Sequence, residues 1–222
     1  MKKLIILTLC FGWLAGCKSS TGPLPPANPA VMPTDGSTLT YAYSGTNPAV
    51  QLAEYATIDT TNSEFFASRV SDTVDSFSTT AIDTLLILAD GDLKFWSFCG
   101  CDTVPLPIAT HGSQTGEGAS VPVKKDGYVG LGSIFTRSEY LGEETISAAG
   151  EAFPCTKVSE SDSISMIFAE HDSLSSTTFR IRTYWYSNDL GYFVKEQQET
   201  STNRSPLILD WTRILTAYKL GK

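Results

Sequence analysis

The sequence predicts a mainly β protein: a single curved antiparallel sheet, a half-barrel or open barrel, with at most one or two short helices. Two hairpin signatures, many further short strand-like segments and only one helix signal support this prediction. An antiparallel sheet of many short strands must close or cover its edges, and curling is one way to do so.

The first hairpin signature lies between Ile82 and Phe98, where two apolar runs flank Asp90-Gly91. An Asp-Gly pair supplies the positive φ angles of a two-residue type I′ turn. The unbroken apolar run of residues 85–89 indicates burial on both faces of its strand.

The second signature runs from Thr177 to Thr200 and alternates cleanly along its first strand. One predicted face carries Phe179, Ile181, Thr183 and Trp185, and the other carries Arg180, Arg182, Tyr184 and Tyr186. A C-terminal strand is predicted from Leu207 to Tyr218. Weaker strand candidates are Thr38–Tyr43, Glu64–Val70, Leu131–Arg137, Glu143–Ser147, Cys155–Ser159 and Ile164–Ala169.

Two segments complete the outline of the domain. Asn47-Pro48 suits the start of a helix through Tyr55, although residues 50–55 also alternate as a strand would, so both alternatives stand. The Gly-, Ser- and Lys-rich stretch from Thr110 to Gly127 predicts a long loop.

Residues 1–16 have the features of a secretory signal peptide, namely two lysines, about eleven apolar residues and a small-residue end. This apolar run is shorter than the roughly 20 helical residues that a membrane span needs. Leu14-Ala15-Gly16-Cys17 then resembles the lipobox of bacterial lipoproteins, which implies cleavage and acylation, by palmitate-type chains, at Cys17. The alternative is an ordinary cysteine beyond a conventional cleavage site.

The resemblance to lipoproteins implies a cellular location. Lys18 follows the acylated cysteine, and a residue other than Asp at this place favours the outer membrane. Residues 17–36 are rich in Pro and Ser and predict an extended tether, while residues 37–222 form a single domain. The predicted partner of the N-terminus is therefore the membrane, through its acyl chains.

The predicted mature chain is acidic. Its net charge is −8 with the leader and −10 without it, because residues 1–16 contain two lysines and no acid. Nucleic acid is not an expected partner, since phosphate binding needs a basic stripe and the lysines and arginines here are scattered.

Three cysteines remain in the domain. An oxidising envelope makes a disulfide from Cys99 or Cys101 to Cys155 a natural prediction. A direct Cys99–Cys101 bridge and three buried free thiols stay open as alternatives.

Two stretches resemble a pattern of uncharacterised envelope lipoproteins. Residues 140–158 are similar to a "G-x-E-T-V" strand followed by "A-G-x-F-x-C-x-K-V", and residues 185–195 to a "W-Y-A-P-G-V-G-x-V-K" hairpin, with Asn188-Asp189 where Pro-Gly is usual. The resemblance implies the curved sheet of the LolA/LolB type of half-barrel and brings no catalytic residue with it. Fold analogy does not establish function.

Catalytic motifs are absent from the sequence. There is no nucleophile elbow, metalloprotease helix, P-loop or dinucleotide fingerprint, so neither an enzyme nor a cofactor or metal site is expected. An envelope hydrolase, the least favoured hypothesis, would have to place His111 or His171 beside a serine and a carboxylate.

Aromatic residues crowd both predicted hairpins, which suits a curved sheet that binds an apolar ligand on its concave face. The candidate ligand face consists of Phe95, Trp96, Phe98, Trp185, Tyr192 and Trp211. We therefore expect a non-enzymatic lipoprotein that binds an apolar or amphipathic small molecule, or an acylated polypeptide. The rival expectation is a structural or interaction protein with a filled core that meets another envelope protein.

Overall fold

The computed structural model describes residues 29–45, 53–61, 64–72, 78–96, 104–118, 120–203 and 205–222; of residues 53–84 and Trp96 it describes the backbone alone. The signal peptide, Cys17, the start of the alternative helix at residues 47–52, and the segment with Phe98, Cys99 and Cys101 lie outside the described residues. The predictions made for these parts stay predictions.

The described chain contains twelve strands. They are β1 (Thr38–Gly45), β2 (Ala53–Thr61), β3 (Glu64–Asp72), β4 (Ser78–Ile87), β5 (Leu93–Trp96), β6 (Ser113–Glu117), β7 (Val121–Lys125), β8 (Tyr128–Ala148), β9 (Glu151–Ile167), β10 (Ser176–Ser187), β11 (Tyr192–Thr202) and β12 (Ser205–Lys219).

All strands belong to one antiparallel sheet in the order β5-β4-β3-β2-β1-β12-β11-β10-β9-β8-β6, with β7 also paired to β8. The one helical element of the described residues is a 3₁₀ turn, Asp172–Leu174. These observations confirm the predicted fold class, an open sheet with little helix. The described residues contain no helix with the length and hydrophobicity that a membrane span requires.

The first hairpin forms as predicted, but its turn differs. Ile87 pairs with Leu93, and the N–H of Gly91 donates to the carbonyl of Leu88 at 2.9 Å. Only Gly91 has a positive φ, +87°, so the predicted type I′ turn with two such residues is wrong. A three-residue loop with glycine in the left-handed conformation is also compatible with the right-handed twist of the two strands.

Four weaker strand candidates merge into two long strands. The segments predicted at 131–137 and 143–147 are both part of β8, and those at 155–159 and 164–169 fall largely in β9. The pairing of β8 with β9 shifts by one residue between Tyr140 and Gly142, which leaves Leu141 as a bulge. A bulge bends its strand and adds twist, so one strand continues around a bend here.

The predicted loop from Thr110 to Gly127 is wrong, because β6 and β7 lie within it and pair with successive parts of β8. Both strands sit at the edge of the sheet, where Gly, Ser and Lys are tolerated because one side of the strand faces solvent. Ala53 to Tyr55 belong to β2, which decides this part of the helix-or-strand alternative in favour of a strand.

Aromatic packing joins the two halves of the curled sheet. The ring of Phe95 in β5 lies 5.7 Å from that of Tyr184 in β10 and 6.0 Å from that of Phe193 in β11. The hydroxyl of Tyr41 in β1 donates to the carbonyl of Phe193 at 2.6 Å. Tyr184, Phe193 and Tyr41 are essentially unexposed, so these rings form the centre of the core.

A buried carboxylate reinforces this closure. Asp92 follows the β4–β5 turn, and its side chain accepts hydrogen bonds from the backbone N–H groups of Ala109 and Thr110 and from the hydroxyl of Thr110, at 2.7 to 3.0 Å. A fourth bond comes from Gln114 in β6, at 3.0 Å. Asp92 is 0% exposed, so the solvated turn position that its sequence context suggests is not the one it takes.

The last part of the predicted tether is folded against the domain. The N–H of Ala30 donates to the carbonyl of Gly91 at 2.9 Å, and Val31 exchanges two hydrogen bonds with the hydroxyl of Tyr186, at 3.1 and 2.6 Å. Ala30 and Val31, which lie within the range predicted for the tether, therefore contact the domain, while residues 17–28 of the predicted tether lie outside the described residues.

Replacing Asp92 by alanine should lower the free energy of unfolding by about 3–5 kcal/mol, because one buried and three partly buried hydrogen bonds lose their charged acceptor. Urea denaturation of residues 29–222 measures this difference. The control is Glu117→Ala, an exposed acid in β6, for which we expect a change within about 0.5 kcal/mol. A similar small effect for both variants would contradict the structural role of Asp92.

Candidate functional site

Strands β8 to β12 have two faces, and we define them by the side chains of β10. The inner face carries Tyr184 and packs against β5, and the outer face carries Trp185. The alternation predicted for β10 therefore holds, with Phe179 and Ile181 on the outer face and Arg180 and Arg182 on the inner face.

The inner face becomes strongly polar beyond the aromatic core. Asp162 accepts a hydrogen bond from Thr136 at 2.8 Å and pairs with Arg180. Glu160 accepts a bond from the hydroxyl of Tyr184 at 2.9 Å. Burial raises the pKa of Glu160, and Asp162 raises it further against the opposing effect of nearby arginines. These charges are paired within the sheet.

The outer face carries a groove along β9. Its floor consists of Ser161 and Ser163, and its walls are side chains of β8 and β10. One row across the sheet is Phe135, Ser163 and Phe179, and the next is Arg137, Ser161 and Ile181. The groove has a volume of about 260 Å³. The phenyl rings of Phe135 and Phe179 thus lie on either side of the single strand β9, which forms the floor.

An exposed ion pair marks one end of this groove. Nη2 of Arg137 lies 2.7 Å from Oε2 of Glu139, two residues further along β8, and Nε of Arg137 also donates to Ser113 at 3.3 Å. The two side chains are 54% and 39% exposed. Both charged groups are therefore accessible to a molecule on the outer face.

The end of the sheet around the groove is unusually rich in exposed apolar side chains. Seven of them lie on the outer face at this end, in β8, β9, β10 and β12: Val129, Leu131, Phe135, Ile167, Phe179, Leu207 and Leu209. Large exposed apolar patches on folded domains mark interaction sites. The outer groove and its surroundings are accordingly the candidate site.

The structure does not gather the predicted aromatic ligand residues on one open face. Phe95 and Tyr192 belong to the core, and Trp211 packs on Tyr43 with ring centroids 5.6 Å apart. Trp185 is on the outer face but only 3% exposed. Phe98 and the side chain of Trp96 lie outside the described residues.

Trp185 is enclosed by charged side chains. Nζ atoms of Lys157 and Lys195 lie 4.9 and 4.2 Å from its ring centre, on the neighbouring strands β9 and β11. Its indole N–H donates to Glu144 at 2.8 Å, and this bond, together with Lys157, lowers the pKa of Glu144. These contacts explain why a tryptophan on the outer face is buried.

The two histidines pack against tyrosine rings. His111 stacks on Tyr140, and its Nε2 lies 3.9 Å from Oε1 of Glu143, while His171 packs on Tyr128. Within the described ranges no histidine ring is hydrogen-bonded to a serine hydroxyl, and no three His, Cys, Asp or Glu side chains cluster as metal ligands would.

Cys155 is buried, and its thiol donates to the carbonyl of Phe153 at 3.3 Å. Burial raises its pKa to about 12. Its predicted partners, Cys99 and Cys101, are outside the described residues, so the disulfide stays a prediction.

The groove residues Phe135, Ser161 and Ser163 were not singled out by sequence reasoning, although a signal was present. Serine occupies every second position from Ser159 to Ser165, and two-residue spacing places all four on one face of a strand. Small residues on one strand leave a furrow when both neighbouring strands carry larger residues beside them. Which strands pair with β9 is a long-range property, so the local sequence did not show the furrow.

The fold is shared with a bacterial protein of known structure. A candidate lipoprotein from Parabacteroides distasonis superposes with a TM-score of 0.56 at 15% identity, over 85% of this chain and 97% of that chain. A candidate exported protein with a YmcC-like fold from Bacteroides fragilis gives 0.46 at 13% identity (85% and 98% covered), and the hypothetical lipoprotein YmcC from Escherichia coli gives 0.37 at 10% (82% and 83% covered). No protein-family model and no curated protein matches the chain.

The first of these likenesses establishes a common fold, a lipoprotein-like β fold of bacteria. It supports, at the level of the fold, the resemblance to envelope lipoproteins that residues 140–158 and 185–195 predicted. The LolA/LolB type and the lipobox stay predictions.

In the reduced, folded protein, Cys155 should resist alkylation by iodoacetamide at pH 8, because a pKa of about 12 leaves almost no thiolate and the sulfur is buried. The same thiol should react fully in urea. Peptide mass spectrometry after digestion measures the alkylated fraction of Cys155 in both states. Full modification of Cys155 in the native protein would contradict the buried site.

Proposed function

We propose that the chain is a bacterial envelope lipoprotein that binds an apolar or amphipathic ligand, or the acyl part of a polypeptide, in the outer groove. It acts by binding rather than by catalysis. The observation that supports this proposal is the pair of exposed phenyl rings, Phe135 and Phe179, on either side of a serine floor. The ligand site proposed from sequence thus moves from the concave to the outer face, because Phe95 and Tyr192 serve the core.

The position of the groove relative to the predicted anchor supports this function. Residues 30 and 31 contact Gly91 and Tyr186, at the opposite end of β10 from Phe179. Seven residues of strand separate Phe179 from Tyr186, or about 24 Å at 3.4 Å per residue. The twelve residues 17–28 could add about 37 Å if extended. The groove is therefore held away from the membrane that anchors Cys17, and Lys18 favours the outer membrane.

The contrast between the two faces also favours binding on the outer one. On the inner face the charged groups Glu160, Asp162 and Arg180 find partners within the sheet. On the outer face Phe135 and Phe179 remain 43% and 45% exposed. Covering these rings would stabilise a complex by about 25 cal/mol for each Å² of apolar surface removed from water.

Replacing Phe179 by serine should weaken binding of a neutral apolar probe, N-phenyl-1-naphthylamine, by at least tenfold. A buried phenyl group contributes roughly 1.5–3 kcal/mol, and tenfold corresponds to about 1.4 kcal/mol. Fluorescence titration of residues 29–222 measures the affinity. Phe135→Ser should behave alike.

The matched control is Val129→Ser, which removes an exposed apolar side chain that does not line the groove. Its affinity for the probe should equal that of the unmodified domain. The proposal fails if the two phenylalanine variants bind the probe as well as this control does.

A further inference from the structure

Residues 29–33 form a short segment at the end of the domain that carries the β4–β5 and β10–β11 turns, and we call this segment the strap. It belongs to no strand, since β1 begins at Thr38. The N–H of Ala30 donates to the carbonyl of Gly91 in the first turn at 2.9 Å. In the second turn the strap lies against Gly191. The strap therefore spans both turns.

Each of these turns leaves room for the strap through a glycine. A Cβ atom on Gly91 would lie 2.7 Å from the Cβ of Pro29, and one on Gly191 would lie 2.6 Å from the backbone N of Pro33. Both glycines also have a positive φ, +87° and +66°, which other residues adopt rarely. A side chain at Gly191 would thus collide with the strap as well as strain the turn.

The hydroxyl of Tyr186 binds the strap at its centre. It accepts a hydrogen bond from the N–H of Val31 at 3.1 Å and donates one to the carbonyl of the same residue at 2.6 Å. The ring of Tyr186 packs on Phe193, with ring centroids 5.8 Å apart. The core therefore uses the ring of Tyr186, whereas the strap uses its hydroxyl.

The strap is held by few contacts compared with a strand. Within the described residues three hydrogen bonds join it to the domain, one to Gly91 and two to Tyr186. Ala30 is 7% exposed and Pro33 is buried, but Val31 is 46% exposed. A segment with few buried contacts opens locally at a smaller cost in free energy than unfolding of the whole domain.

A turn with the features of a hinge joins the strap to β1. The N–H of Ser37 donates to the carbonyl of Thr34 at 3.2 Å, which closes the turn. Gly36 within it has a φ of +71°, and a Cβ atom there would meet no atom within 4 Å. A glycine in open space can change its backbone angles without a collision. Directly after it, Ser37 is only 1% exposed, so the fixed part of the chain begins there.

We propose that the strap is a latch, which opens and closes on the two turns while the rest of the domain stays folded. In a chain anchored at Cys17, as the leader predicts, the open latch adds residues 29–36 to the link between anchor and domain. Eight extended residues span about 25 Å at 3.1 Å per residue. The closed latch thus keeps the domain on the shorter link. This device is separate from the ligand groove, because Phe179 lies at the opposite end of β10 from Tyr186.

Hydrogen exchange in the full chain, extracted from the envelope with mild detergent, tests the latch. Peptic digestion and mass spectrometry follow one peptide that contains Ala30 and Val31 and another from β9. The amides of Ala30 and Val31 should exchange at least tenfold faster than those of β9, because the latch opens without global unfolding. They should still exchange at least tenfold slower than in the urea-unfolded chain, because both are hydrogen-bonded in the closed latch.

Two substitutions should open the latch. Tyr186→Phe removes both bonds to Val31 and keeps the ring in the core, and Gly191→Ala places a methyl group where the strap lies. Each should accelerate exchange of Ala30 and Val31 at least tenfold and leave β9 within about twofold of its unmodified rate. Gly150→Ala is the matched control, because Gly150 also has a positive φ, +82°, but has no atom within 4 Å of its Cβ position. It should change neither peptide.

Three results would overturn the latch. In the first, the amides of the strap exchange as slowly as those of β9 in the unmodified chain, so that the strap opens only when the domain unfolds. In the second, Tyr186→Phe and Gly191→Ala leave the exchange of the strap unchanged. In the third, these variants accelerate exchange of β9 as much as that of the strap. Tyr186→Phe decides the matter by itself if Gly191→Ala does not fold.

Discussion

The curled shape of this sheet depends on contacts that bridge its two halves, and the buried carboxylate of Asp92 is the most constrained of them. It satisfies two backbone N–H groups, one hydroxyl and one amide from the segment that leads into β6. This holds the β4–β5 hairpin beside the far end of the sheet and places Phe95 on Tyr184 and Phe193. A charged group at 0% exposure is tolerated because each donor compensates part of its lost hydration.

The candidate site follows from this closure. Once Phe95, Tyr184 and Phe193 occupy the inside, the strands that continue beyond the core keep the same alternation, and none of the described residues forms a second layer over their outer side. The inner face there pairs its own charges, as Asp162 does with Arg180, whereas the outer face exposes Phe135 and Phe179. The groove thus forms because these strands extend beyond the aromatic core.

Much of the fold could be predicted because strand signals are local. Both hairpins, the C-terminal strand and the faces of β10 follow from alternation and turn residues. The prediction of a type I′ turn at Asp90-Gly91 was wrong because a glycine permits several types of turn. The prediction of a loop at 110–127 was wrong because an edge strand lacks the apolar pattern that identifies a buried strand. The burial of Asp92 is not visible in the local sequence, because its four hydrogen-bond donors belong to residues 17 to 22 positions further along the chain.

The sequence by itself determined that the chain forms an antiparallel sheet and which side chains share a face, since backbone geometry sends every second residue to the same side. It also carries the predicted leader and Cys17, on which the predicted anchor depends. Only the tertiary structure decided which face became the interior, because burial depends on what packs against a strand. That choice put Tyr184 inside and left Phe179, five residues earlier in the same strand, exposed beside Ser163.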